Sequence, residues 1–168
     1  MILATDVHYV DSTGYAAGLL FEAWSSSEEL GRYEVVCHDV EPYEPGAFYR
    51  RELPCLLKLI EKVDHEITTI VIDGHVYLDA ASRPGLGAVL YRAMNQSIEV
   101  VGVAKSRFHG MPELHAVMRG QSAKPLYVTT TGDLNAAIDG VSKMAGSHRI
   151  PTLLKRVDQN CRSMVRDA

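Results

Sequence analysis

At 168 residues, 46% hydrophobic and 23% charged, the chain is long enough for one well-buried core and too short for two comfortable ones, so a single domain over residues 1–168 is expected. Its net charge of −4 gives no global sign of nucleic-acid binding, so a polyanionic partner would need a local basic face. No run approaches a membrane span, and the start MILATD lacks the basic region and small-residue cleavage site of a signal peptide, which points to a cytoplasmic protein with no membrane partner. Cys37, Cys55 and Cys161 show no metal-ligand spacing and each lies in an apolar pattern, so they are expected to be reduced core residues.

Ile2 to Val10, ILATDVHYV, reads as a first strand whose apolar run is interrupted by Asp6. Gly14 to Trp24 follows a turn-like Asp11-Ser12-Thr13-Gly14 and completes a hairpin, and Tyr33 to Val40 alternates enough to be the third strand of a meander. Glu41-Pro42-Tyr43-Glu44-Pro45-Gly46 forbids regular structure, because the prolines remove donors and the glycine admits positive φ. From about Phe48 the spacing turns helical, with Leu53, Leu56, Leu57 and Ile60 on one stripe and Pro54 as an irregularity. Thr68 to Gly74, TTIVIDG, is the centre of the chain: Ile70, Val71 and Ile72 read as a strand buried on both faces that exits through Asp73 and a glycine turn.

A helix is then expected from Ser82-Arg83-Pro84-Gly85 to about Asn95, and a buried strand over Ile98 to Ala104 that ends at Lys105. A short strand at Leu126 to Thr130 and helices over Asp133 to Ala145 and Thr152 to Arg166 complete the series. Three antiparallel strands followed by parallel strands with crossover helices make a mixed α/β sheet with helices on both faces, the order found in ribonuclease H-like folds.

Four acidic residues stand where hydrophobes are expected: Asp6 in the first strand, Glu52 early in the first helix, Asp73 at the central strand's end and Asp158 inside the apolar stripe of the last helix. A carboxylate in such a stripe is costly unless it is paired or bound to a metal. Pairing with Lys155 or Arg162 one turn away is the simpler account of Asp158. If all four gather at one sheet edge, their repulsion calls for a divalent cation, and oxygen ligands without a Cys or His set suit Mg²⁺ or Mn²⁺. Such clusters carry out phosphodiester hydrolysis. Lys105 and Ser106 follow a buried strand and would lie at the same edge, with Arg50, Arg51, Lys155, Arg156 and Arg162 as a basic rim.

Several stretches, in order, resemble motifs of one family. TDVHY at Thr5 to Tyr9 resembles a first-strand aspartate motif, and PYEPGAFYRRE at Pro42 to Glu52 resembles a Pro-Tyr-Ile-Pro-Gly wedge with the Phe-Arg-Glu behind it. IDGH at Ile72 to His75, GVAKS at Gly102 to Ser106, YVTTTG at Tyr127 to Gly132 and RIPTLLKRVD at Arg149 to Asp158 follow with matching order. The chain thus resembles endonuclease V, a deaminated-base repair nuclease of ribonuclease H-like fold. The resemblance implies that Asp6 and Asp73 bind Mg²⁺, that Glu52 and Asp158 complete the acidic site, and that Lys105 assists at the phosphate of DNA or RNA carrying a deaminated purine. It also implies that Tyr43 is the wedge that replaces lost stacking, and that Gly46, Gly74 and Gly102 bring backbone around the flipped base. The chain departs from the family pattern at Glu44, at Val76 where a pocket glycine is expected, at Asp79, and over Thr129 to Asp133. These departures favour an alternative, a nucleic-acid-binding module of the same fold without lesion recognition or catalysis.

Overall fold

The first strand, β1 (Ile2–Val10), alternates its side chains between two apolar layers: Ile2 and Ala4 enter one cluster and Leu3 the other. In the computed structural model, which describes residues 1–38, 40–42, 44 and 49–166, this parity runs across the whole sheet. β2 (Thr13–Phe21) and β3 (Gly31–Cys37) continue the antiparallel meander from β1. β4 (Thr69–Asp73) lies parallel to β1 on its other side, and β5 (Glu99–Ala104) lies parallel to β4. The sheet order is β3-β2-β1-β4-β5-β7-β6, where β6 (Ala116–Val117) and β7 (Leu126–Thr130) close the far edge.

Among the described residues two helices cover each face. α1 (Tyr49–Ile60) and α2 (Leu86–Ala93) bury Leu56, Leu86 and Leu90 against Leu3, Ile70 and Ile72. α3 (Leu134–Lys143) and α4 (Thr152–Met164) bury Val141, Leu153 and Val157 against Val71, Val101 and Val128. The architecture is the expected ribonuclease H-like mixed sheet with an antiparallel three-strand start and helices on both faces. Among the described residues no helix is long and apolar enough to cross a membrane.

Two expectations are corrected. β7 runs antiparallel to β5, not parallel, because no crossover helix separates them; the intervening chain forms a 3₁₀ turn at Glu113–His115 and the short β6. α2 stops at Ala93, with Asn95 and Gln96 at positive φ. Pro54 sits inside α1 on its exposed side. Tyr43 and Gly46, the expected wedge and pocket glycine, lie outside the described residues.

Candidate active site

Register and parity together bring the carboxylates to one place. Thr5 of β1 is in register with Ile72 of β4, so the next residues, Asp6 and Asp73, stand side by side on adjacent parallel strands. Asp6 shares the parity of Ile2 and Ala4, and Asp73 that of Val71, so both side chains face the α3/α4 layer. Lys105, two residues beyond Val103, faces the same way one strand further on, and its Nζ lies 2.7 Å from Asp73 Oδ2. α4 docks against this edge through Cys161, whose thiol donates to the Asp6 carbonyl at 3.0 Å, and so presents Asp158 to the same cleft. Glu52 arrives from the opposite layer, on the first turn of α1.

A cleft of about 330 Å³ is lined by Asp6, Glu52, Asp73, Lys105, Asp158 and Arg162, so the structure assembles all five residues proposed for catalysis. Crowding shows in their acidities. Burial, then the Asp73 and Asp158 charges, push the Asp6 carboxyl up to about 7, against the hydrogen bond it accepts from the Val7 amide at 2.8 Å. Glu52 is 4% exposed, and burial followed by the charges of Asp6 and Asp73 holds its carboxyl well above the usual range. Its Oε2 is buried with no hydrogen-bond partner among the described residues. Burial opposes the Lys105 charge, but its hydrogen bond to Asp73, with the charges of Asp73, Asp6 and Asp158, holds the ammonium above its ordinary pKa. Asp158 also takes the simpler partner foreseen for it, Arg162 one turn on at 3.0 Å.

Among the described residues no three His, Cys, Asp or Glu side chains are gathered closely enough to hold an ion as they stand. The donor set nevertheless fits a hard divalent cation: carboxylates on adjacent strands, one of them forced towards protonation, and a buried Glu52 oxygen aimed at no partner. In this arrangement Lys105 supplies the positive charge nearest Asp73.

The loops behind the site are built on close approaches. Gly74 has φ +143°, and a Cβ on Gly102 would lie 2.5 Å from the Gly74 carbonyl and 2.8 Å from Thr129 Oγ1. Thr129 in turn accepts the Val76 amide at 2.7 Å. His75 Nε2 donates to the Ser106 carbonyl at 3.1 Å, tying the turn after Asp73 to the segment after Lys105. His75 was not foreseen in this role; its place beside Asp73 was the only signal for it. Val76 is fully buried in the α1/α2 cluster and packs on Gly87, so it does not present its side chain to a base pocket. Asp79 accepts the amides of Ala81 and Arg83 and closes a local turn.

The basic rim is smaller than its sequence suggested. Arg50 pairs with Glu44 at 2.9 Å, Arg51 lies over the Tyr9 ring at 4.0 Å, and Arg156 pairs with Glu28 and Glu29. Lys105, Lys155 and Arg162 remain at the cleft and at the larger cavity beside it, and His148 and Arg149 join them. Arg149 was missed because its donors go to the carbonyls of Pro125 and Lys105, contacts no local pattern reveals.

With this geometry in view, the family model of Endonuclease V matches residues 1–132. The chain belongs to the endonuclease V family. An endonuclease V of Rhodospirillum centenum is 28% identical over 141 residues, an alignment covering 70% of this chain and 57% of that relative, so the chain spans little more than half of it. The endonuclease V structure from Streptomyces avermitilis superposes with a TM-score of 0.84 at 25% identity, over 99% of this chain and 81% of that one. Endonuclease V of Ciona intestinalis, solved with a 24mer DNA containing an inosine followed by a ribo-adenosine, shares the fold with a TM-score of 0.82 at 16% identity, over 99% and 86% of the two chains. The endonuclease V match by sequence model ends at Gly132, yet the fold match continues through α4, the helix that carries Asp158.

Proposed function

We propose that this endonuclease V family member is a metal-dependent endonuclease that hydrolyses a phosphodiester on the 3′ side of a deaminated purine in DNA or RNA. The observation that carries the reading is the convergence of Asp6, Asp73, Asp158 and the unpartnered Glu52 oxygen on one cleft beside Lys105. Four carboxylates in one cleft repel each other and serve no structural end that apolar residues would not serve better. Bound there, Mg²⁺ or Mn²⁺ would supply Lewis acidity at the phosphoryl oxygen.

Asp6 and Asp73 would hold the ion between adjacent strands, and Glu52 would complete the set from α1 or orient a water that does. Lys105 would release Asp73 and turn its ammonium to the phosphate, a short swing for an exposed lysine already at the cleft. Asp158, which pairs with Arg162, would accept a proton from the attacking water. Tyr43, Gly46, Gly74 and Gly102 are assigned to the lesion side by resemblance alone, and Ser106 to the substrate by its place in the loop after Lys105. The inosine-containing DNA bound by the Ciona relative supports the lesion class. Three buried unpaired thiols support a reducing compartment such as the cytoplasm.

The test is cleavage of matched single-stranded and duplex oligonucleotides, with and without one inosine, in Mg²⁺, Mn²⁺ or EDTA, with Asp73→Asn as control. Metal-dependent cutting beyond inosine that Asp73→Asn abolishes is the expected result; cutting by that variant at the wild-type rate would sink the proposal. A second reading, a binding module without catalysis, is favoured by the Lys105–Asp73 pair and by the lack of a preassembled ligand triad among the described residues. It predicts retained binding with no cutting under any ion.

A further inference from the structure

Beside the acidic cleft, between the first turns of α4 and the sheet edge, lies a second cavity of about 430 Å³. Its size is that of a small-ligand site, which falls at about 300–1,000 Å³. Its walls are apolar: Val103 and Leu126 from the sheet, Leu154 and Val157 from α4. It is not a sealed packing defect, because Asp6, Asp73, Lys105 and Asp158 line both it and the acidic cleft. Arg149 fixes its rim by donating to the Pro125 carbonyl at 2.6 Å and also to that of Lys105. Exposed Lys155 and Lys105 put two ammonium groups at its border. Gly74 and Gly102, the described residues that the resemblance assigns to the lesion, do not line it.

We propose that this cavity is a second nucleoside subsite, which takes the base of a nucleotide next to the scissile phosphate while Lys105 and Lys155 hold its backbone. An apolar slot flanked by cations and open to the carboxylates matches a nucleotide, flat and apolar at the base and anionic at the phosphate. The proposal rests on the nuclease reading. It adds that the enzyme grips the strand at two bases, the lesion on the α1/α2 side and a neighbour on the α3/α4 side. A base held in this way would position the phosphodiester over Asp6 and Asp73 and make the distance from lesion to cut a property of the fold.

The test is equilibrium binding in EDTA, where cleavage plays no part, by fluorescence anisotropy. The probes are single-stranded oligonucleotides with one inosine and one abasic tetrahydrofuran residue, the latter walked through the positions on the 3′ side. One position is expected at which the missing base weakens binding about tenfold, the worth of one stacked base. Leu154→Trp, whose indole fills the cavity, should bind every probe alike at the level of that weakest one. Ile150→Phe serves if Leu154→Trp does not fold, and the walk on the wild-type protein decides the matter without either. Equal affinity for every abasic position overturns the subsite and leaves the nuclease reading intact. A position dependence that survives in the filled variant overturns it as well. Failure to bind any oligonucleotide, in EDTA and in Ca²⁺ alike, overturns both.

Discussion

Asp6→Asn separates the ionic role of the carboxylate from its shape. The folded carboxyl titrates near 7 against an ordinary value of 3.8, first because it is buried and then because Asp73 stands beside it. A group whose folded pKa is raised adds stability below its unfolded pKa, and that stability is lost as pH rises through the folded one. Wild-type stability should therefore fall between about pH 4 and pH 7 on this group's account. The full shift corresponds to a ceiling of about 4 kcal/mol at pH 8. Relaxation and water entry in a half-buried site bring the realistic figure to about 2 kcal/mol.

The amide keeps the acceptor for the Val7 N–H and removes the charge. In a chain of this length about 2 kcal/mol raises the melting temperature by roughly 4–8 °C. The assay is thermal melting in EDTA at pH 8 and at pH 4.5. The variant should melt higher at pH 8, and the gap should nearly close at pH 4.5. Added Mg²⁺ should then raise the wild-type melting temperature and leave the variant unmoved, as ligand linkage requires. A variant that melts below wild type at pH 8, or with the same gap at both pH values, would refute the crowding on which the site is built.

Glu52→Gln should leave melting in EDTA within about 1 kcal/mol of wild type, because the buried carboxyl is held towards its neutral form and the amide has the same shape. Its Mg²⁺-dependent cleavage should drop at least about tenfold, and full activity would remove Glu52 from the site. Because Asp6 must lose its proton to take an ion, Mn²⁺ affinity measured calorimetrically should rise by up to about tenfold per unit as pH increases towards 7, with protons released on binding. A pH-independent affinity would place the ion elsewhere. Val76→Gly should lose about 3 kcal/mol in chemical denaturation, since it empties a fully buried position against Gly87 and loosens the backbone. It should gain no preference for inosine over adenosine, and a gain with unchanged stability would return Val76 to the base pocket.

The site was legible where a residue's type conflicts with its periodic position. Asp6 in an apolar strand, Asp73 closing a β-branched run and Asp158 in an apolar helical stripe each violate a pattern that burial otherwise dictates, and all three reach one cleft. The parallel pairing of β4 with β5 was legible from the helical spacing between two apolar runs, since a crossover helix is what a parallel pair needs. The direction of β7 was not, because its residues read alike in either orientation and only the lack of a crossover helix decides it. Val76 shows another limit: a motif comparison tells which residue stands at a position and not which layer it faces, and parity sends this one into the core.

The cavity beside α4 was invisible for a deeper reason. Leu126, Leu154 and Val157 satisfy the ordinary pattern of core residues, yet all three line an open space beside the acidic cleft. Violations of pattern therefore mark the chemistry, whereas a space left between conforming residues marks where a substrate can lie. Glu52 joins the two faces: it comes from the α1/α2 layer, yet its carboxylate meets Asp6 and Asp73, which face α4. A site confined to one face of the sheet could grip a strand on that side only. A carboxylate set drawn from both layers would, on the proposed reading, let a phosphate be reached while its neighbouring bases are held on opposite sides.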